Sequence, residues 1–144
     1  MKTSTPVLIA QECVIARVRI LNRIITNMYD TALRPFGVKS SQMNILVVTG
    51  TSDSTTPGNI CKRLKMEVST VSRNVERMRA RGWIETIEDH DDGRAHSLKL
   101  TEEGRRMIER VKPAWEETQE RVKELLGPTC VRSLMTTVQR IAAR

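Results

Sequence analysis

Aromatic side chains are scarce in this sequence: one Phe, one Tyr and two Trp among 144 residues. That argues against a platform that stacks unpaired RNA bases on aromatic rings. The three cysteines, Cys13, Cys61 and Cys130, are far apart and include no CxxC pair. A zinc framework is therefore unsupported, and the thiols suit a reducing compartment. The apolar run Val7-Leu8-Ile9-Ala10 is far short of the roughly 20 residues that cross a bilayer. No leader is read ahead of it, so no membrane partner is expected and the cytoplasm is the expected location.

Reactive constellations are equally sparse. His90 and His96 are the only histidines, and neither has an obvious Ser or Cys partner for nucleophilic catalysis. Asp89-His90-Asp91-Asp92 superficially resembles a metal cluster, but Gly93 falls where a calcium loop needs its third ligand. The stretch reads instead as a hairpin turn. GxSxG and Gly-rich phosphate-loop motifs are absent. No enzyme, metal site or cofactor is expected.

What the chain does have is positive charge: 24 Lys and Arg against 17 Asp and Glu, a formal net charge of +7. A polyanionic partner is favoured, although total charge alone says little. Residues 62 to 106 carry 11 basic against 9 acidic side chains. The excess is local, in Arg73, Arg77, Arg79 and Arg81 against Glu76.

Those arginines belong to a stretch, residues 56 to 83, that reads as two short helices joined by a tight turn. Thr56 can cap the first and Pro57 suits its first position, where a missing N–H costs nothing. Ile60, Cys61 and Leu64 recur at helical spacing, and Lys65-Met66-Glu67 breaks the run. The second helix spans about Val68 to Arg81 and ends at Gly82. Its inner stripe is Val71, Val75 and Met78. Ser69, Thr70, Ser72, Arg73 and Arg77 project from the other side. Short hydroxyls and long guanidiniums on one face suit a helix entering the major groove of double-stranded DNA, although an ordinary solvated basic face has the same composition.

A strand follows over Trp83 to Glu88, then a loop over Asp89 to Arg94, then a return strand from Ala95 to Leu100. Helix, turn, helix and hairpin together make a winged helix. Arg94 near the wing tip is placed to reach the minor groove, with Asp92 as a supporting partner that aims it. The expected fold is mainly α with a small β-hairpin wing. Long helices flank the winged helix-turn-helix, one over Val7 to Leu33 and another from the Thr101 cap to Leu126 with a kink at Pro113. Between the first of these and the helix pair lies a helix capped by Ser40 or Ser41, and a last helix runs to about Ala142. Val14, Val18, Leu21, Ile25, Met28 and Ala32 form one helical seam, and Ile108, Val111, Trp115, Thr118, Val122 and Leu125 form a second. In the last helix Val131, Leu134 or Met135, Val138 and Ile141 are expected inward.

The segments Ser69-Thr70-Val71-Ser72-Arg73, Arg81-Gly82-Trp83-Ile84, Asp92-Gly93-Arg94-Ala95 and Leu100-Thr101-Glu102-Glu103-Gly104-Arg105, in that order, resemble the MarR family of bacterial transcriptional regulators. The likeness of layout extends over the whole chain. The resemblance implies a homodimeric regulator, a repressor more than an activator, that sits on a pseudo-palindromic operator and is released by a small-molecule or oxidative signal. It implies that residues 1–36 and 101–144 form a helical dimerisation region and residues 37–100 the winged helix-turn-helix, within one compact unit. Two features depart from the family. Glu67 stands at the cap of the recognition helix, and Glu88, Asp89 and Asp91 make the wing acidic where relatives often carry an arginine.

The resemblance also implies a pocket for a small aromatic or anionic ligand between the first long helix, the helix after it and the long helix after the wing. Met28, Met43 and Arg23 are candidate lining residues, and core packing explains the methionines equally well. Family members of the OhrR type sense peroxides through a cysteine near the start of the first helix. Here Cys13 and Tyr29 are present, with Arg17 one turn away. Ser40 stands where a second tyrosine is expected, however, and the sensor position registers at Ile15. A winged-helix protein-interaction module and a thiol-based redox sensor using Cys13 therefore remain as alternatives.

Overall fold

The computed structural model describes residues 2–88 and 96–144. Seven helices and one hairpin are present among them: α1 Thr5–Glu12, α2 Val14–Leu33, α3 Ser40–Gly50, α4 Pro57–Leu64, α5 Val68–Ala80, β1 Ile84–Glu88, β2 His96–Leu100, α6 Glu102–Leu126 and α7 Pro128–Ala142. A single 3-10 turn at Arg34–Phe36 closes α2, and Gly37 follows it with φ 68°.

The expected first helix is in fact two. Cys13 takes an extended conformation, φ −66° and ψ 112°, between α1 and α2. The Arg17 guanidinium stabilises the break by donating to the Ala10 carbonyl at 2.7 Å and the Cys13 carbonyl at 3.1 Å. Ala10 lies in the last turn of α1, where carbonyls lack intrahelical partners, and Cys13 is the cap residue of α2. Nor does a serine cap α3. Lys39 occupies the cap position, and the Gln42 side chain accepts its N–H at 3.1 Å. The Ser40 N–H donates instead to the Asp30 carboxylate at 2.8 Å, which ties α3 to α2.

The core gathers Ile60 from α4, Val71, Val75 and Met78 from α5, and Ile45 and Leu46 from α3, with Trp83, Ile84, Leu98 and Leu100 around the hairpin. Leu33, Met107 and Val111 of the long helices belong to the same cluster. Burying each such side chain is worth about 1.5–3 kcal/mol. In the hairpin Ile84 pairs with Leu100 and Thr86 with Leu98, so one face is apolar, while Glu85 and Lys99 pair on the other. Gly50 to Thr56 is not simply a polar loop. Buried Thr55 pairs with Leu98 through two backbone hydrogen bonds, 2.9 and 2.6 Å.

The segment Thr101 to Gly104 locks the wing to α6. The Thr101 N–H donates to the Trp83 carbonyl at 3.0 Å, and its hydroxyl accepts the Gly104 N–H at 3.0 Å. Gly104 packs so closely on that carbonyl that a Cβ there would lie 2.3 Å from the oxygen. From this lock α6 continues as one helix through Pro113. Met107, Val111, Thr118 and Val122 are buried along it, and Trp115 and Leu125 of the expected seam are exposed.

The terminal helices contrast with this core. Neither α1 nor α7 has a buried residue. Leu134, Met135, Val138 and Ile141, expected inward, are exposed, as are Val14 and Val18 of the α2 seam. Within one chain α7 packs on α6, and that contact leaves its outer stripe uncovered.

Candidate nucleic-acid interface

The helix pair is held from beneath. The Thr56 hydroxyl accepts the Asn59 N–H at 3.1 Å and caps α4. Lys65, in the left-handed conformation at φ 53°, reverses the chain toward α5. Val71, Val75 and Met78 then bury the inner stripe of α5. Rotation about that stripe leaves Ser69, Ser72, Arg73 and Arg77 exposed, as expected, while Thr70 is half-buried. Glu67 holds the cap position of α5 without a side-chain bond to the helix. That agrees with its poor suitability for the role.

Two of the four arginines in this segment are engaged. Arg79 pairs with Glu76 at 2.8 Å. Arg81 turns back over the Trp83 ring, 4.0 Å from its centroid, and donates to the Gly37 carbonyl. It therefore clasps the start of the wing to the turn after α2. Among the described residues Arg73 and Arg77 make no ion pair. Arg94 and Asp92 lie outside the described residues.

A polar link beneath α5 was not read from the pattern. Buried Asn74 donates to the Thr70 carbonyl at 3.0 Å and accepts from Gln42 Nε2 at 3.4 Å. Gln42 also accepts the Lys39 N–H, so one side chain caps α3 and steadies α5. The signal was present: Asn74 sits at the i+3 place between Val71 and Met78, and a buried amide needs a partner.

Between α2, α3 and α6 lies a cavity of about 690 Å³, its walls including Ile25, Tyr29, Met43, Ile108, Lys112 and Trp115. Of the candidate pocket residues only Met43 lines it; Met28 and Arg23 do not. Tyr29 donates to the Gln119 side chain across the α2–α6 interface. Burial raises its pKa above 10.0, opposed in part by the charge of Lys123. Tyr29 and Cys13 stand 16 positions apart along α2, about 24 Å at the helical rise. Within one chain the tyrosine thus lies at the cavity, far from that thiol, and Arg17 is occupied with backbone carbonyls. Among the described residues no group of three or more His, Cys, Asp or Glu is placed to hold a metal, and no helix is long and apolar enough to cross a membrane.

The family model described as "MarR family" matches residues 36–95. The chain is 30% identical over 89 residues to the uncharacterized HTH-type transcriptional regulator YwoH of Bacillus subtilis, an alignment covering 62% of this chain and 64% of YwoH. Among solved structures it resembles a mutant of MarR from E. coli complexed with operator DNA. The TM-score is 0.81 at 19% identity, covering 93% of this chain and 97% of the other. CouR from Rhodococcus jostii RHA1, bound to p-coumaroyl-CoA, superimposes with a TM-score of 0.78 at 21% identity, covering 92% and 93%. At these identities the structural likeness concerns the fold.

Proposed function

We propose that the chain is a winged helix-turn-helix transcriptional regulator of the MarR family, that it binds a pseudo-palindromic operator as a homodimer and that it represses by occluding polymerase. The observation that carries this reading is the outer face of α5. A rigid core presents Ser69, Ser72, Arg73 and Arg77 together, with both guanidiniums unpaired among the described residues. Arginine forks onto guanine O6 and N7 or onto phosphate, and hydroxyls set register on the backbone. Thr70, half-buried, contributes at the edge of this face. From the sequence, Arg94 with Asp92 is the wing's candidate for the minor-groove edge, and both lie outside the described residues.

The dimer reading is supported by the uncovered apolar stripes of α1, α2 and α7. A two-fold pair would bury them and set two α5 helices about one DNA turn apart. Release by a small aromatic or anionic ligand is supported by the cavity. Its volume suits a small molecule, Trp115 and Tyr29 offer flat walls, and the Lys112 ammonium offers a counter-ion. Its α3 wall is also the helix whose Gln42 steadies α5. A ligand that favours one placement of α3 would therefore change the affinity for DNA.

The test is selection of bound sequences from a random duplex pool by the pure protein, followed by affinity at increasing salt. A recovered palindrome with half-sites about ten base pairs apart, and affinity that drops steeply with salt, is the expected result. An unenriched pool with weak binding at low salt would overturn the reading.

A further inference from the structure

Val68 opens α5 and is 67% exposed, whereas Val71, Val75 and Met78 of the same helix are 0–5% exposed. It is the only large apolar side chain on the outside of the helix pair among the described residues. The core does not use it, and it is not part of the terminal stripes. By helical periodicity Val68 and Ser72 share one row, beside the row of Ser69 and Arg73. The isopropyl group therefore borders the polar face at its leading end.

This inference rests on the reading of α5 as a major-groove helix. In such docking the first residues of the helix reach base edges, while Arg73 and Arg77 follow one and two turns behind. The major-groove edge of a base pair carries hydrogen-bonding atoms and a single apolar group, the 5-methyl of thymine. A valine at the leading end has nothing to offer an N7, O6 or N4 atom. Against cytosine it would leave the exocyclic amine without an acceptor.

We propose that Val68 is a specificity-determining residue that packs on a thymine 5-methyl group in each half-site and so selects thymine over cytosine there. Ser69 and Ser72 are short enough to let the isopropyl reach the methyl. At the leading end of α5 no other exposed side chain can read that group by apolar contact.

The experiment uses the full chain and the operator it enriches from the random pool. Each thymine is replaced singly by deoxyuridine, which removes only the methyl, and binding is followed by fluorescence anisotropy for the wild type and for Val68→Ala. Alanine suits an exposed helical position, and an unchanged melting temperature verifies that the variant is folded. The expected result is one symmetry-related thymine per half-site at which deoxyuridine weakens the wild type about fourfold, the value of one buried methyl group. Val68→Ala should bind the thymine and uracil operators equally. If both proteins bind tightly with the same deoxyuridine profile, Val68 reads no methyl and the proposal falls while the DNA-binding reading stands. If no sequence is enriched, both fall.

Discussion

The helix pair with its hairpin and the terminal helices α1 and α7 are built from the same kinds of apolar side chain and end in opposite states. In the first region Ile60, Val71 and Met78 are wholly buried, and Trp83, Ile84, Leu98 and Leu100 nearly so. In the second, Val7, Leu8 and Ile9 of α1 and Leu134, Met135, Val138 and Ile141 of α7 all face outward. The first region is complete within one chain. The second carries apolar stripes that a single chain leaves wet, which is unfavourable until another surface removes them from water. On the proposed dimer reading, one region fixes the shape of the outer face of α5 and the other the spacing between two such faces.

The sharpest way to break the first region is to hollow it. Ile60→Ala should cost about 2–5 kcal/mol of stability, read by denaturant titration, with the loss independent of protein concentration. The same chemistry in the second region should behave differently. Val138→Asp should leave unfolding of the winged helix nearly unchanged while weakening self-association about ten- to a hundredfold, the worth of burying one valine. Sedimentation equilibrium measures that directly. If Val138→Asp lowers stability equally at all concentrations, the two regions are one cooperative body and the contrast fails.

Within the closed region, exposure separates binding from folding. Arg73→Ala should leave the melting temperature within a degree or two and cost about 1–3 kcal/mol in operator affinity, with altered base preference. Competition with mutated half-sites reads both effects.

The smallest expected effect lies at the cavity. Tyr29 is the sole tyrosine, so absorbance near 295 nm follows its ionisation alone. Burial raises its pKa above 10.0, so the folded state holds this proton more tightly than the unfolded chain. Its contribution is fully present below pH 10 and is lost as pH rises through the folded value. Tyr29→Phe should flatten the alkaline decline in stability, with the difference confined to pH above 10.

Most of the architecture was legible from spacing and caps. Thr56 and Thr101 cap α4 and α6 as read, α6 ends at Leu126, and the stripe Val71, Val75, Met78 turns Ser69, Ser72, Arg73 and Arg77 outward. What escaped depends on contacts that spacing alone does not show. Periodicity runs unbroken through Cys13, and only the reach of Arg17 to two carbonyls reveals the break there. Thr55 sits in a polar run whose sole strand-like partner is Leu98, 43 residues later by number. Met28 and Arg23 were misplaced because a seam gives the axial spacing of a helix but not which part of its circumference meets a cavity. The Gln42–Asn74 link was missed because the stripe of α5 was read from its apolar positions alone, although Asn74 stands at the i+3 place within it. The stripe of α7 was expected inward because its spacing is helical, but spacing does not say how much of it the contact with α6 covers.

The clasp made by Arg81 has a consequence for counterions. The segment from Arg73 to Arg81 holds four guanidiniums, yet Arg81 lies over Trp83 and Arg79 already faces the Glu76 carboxylate. Among the described residues only Arg73 and Arg77 are free there to displace condensed cations from a phosphate chain. Each neutralised phosphate contributes about −0.9 to the slope of log affinity against log salt, so this segment accounts for a slope of about −2 per subunit, not −4. Charge-neutralising replacement of Arg81 should leave that slope untouched and register instead as a looser junction between the wing and the body.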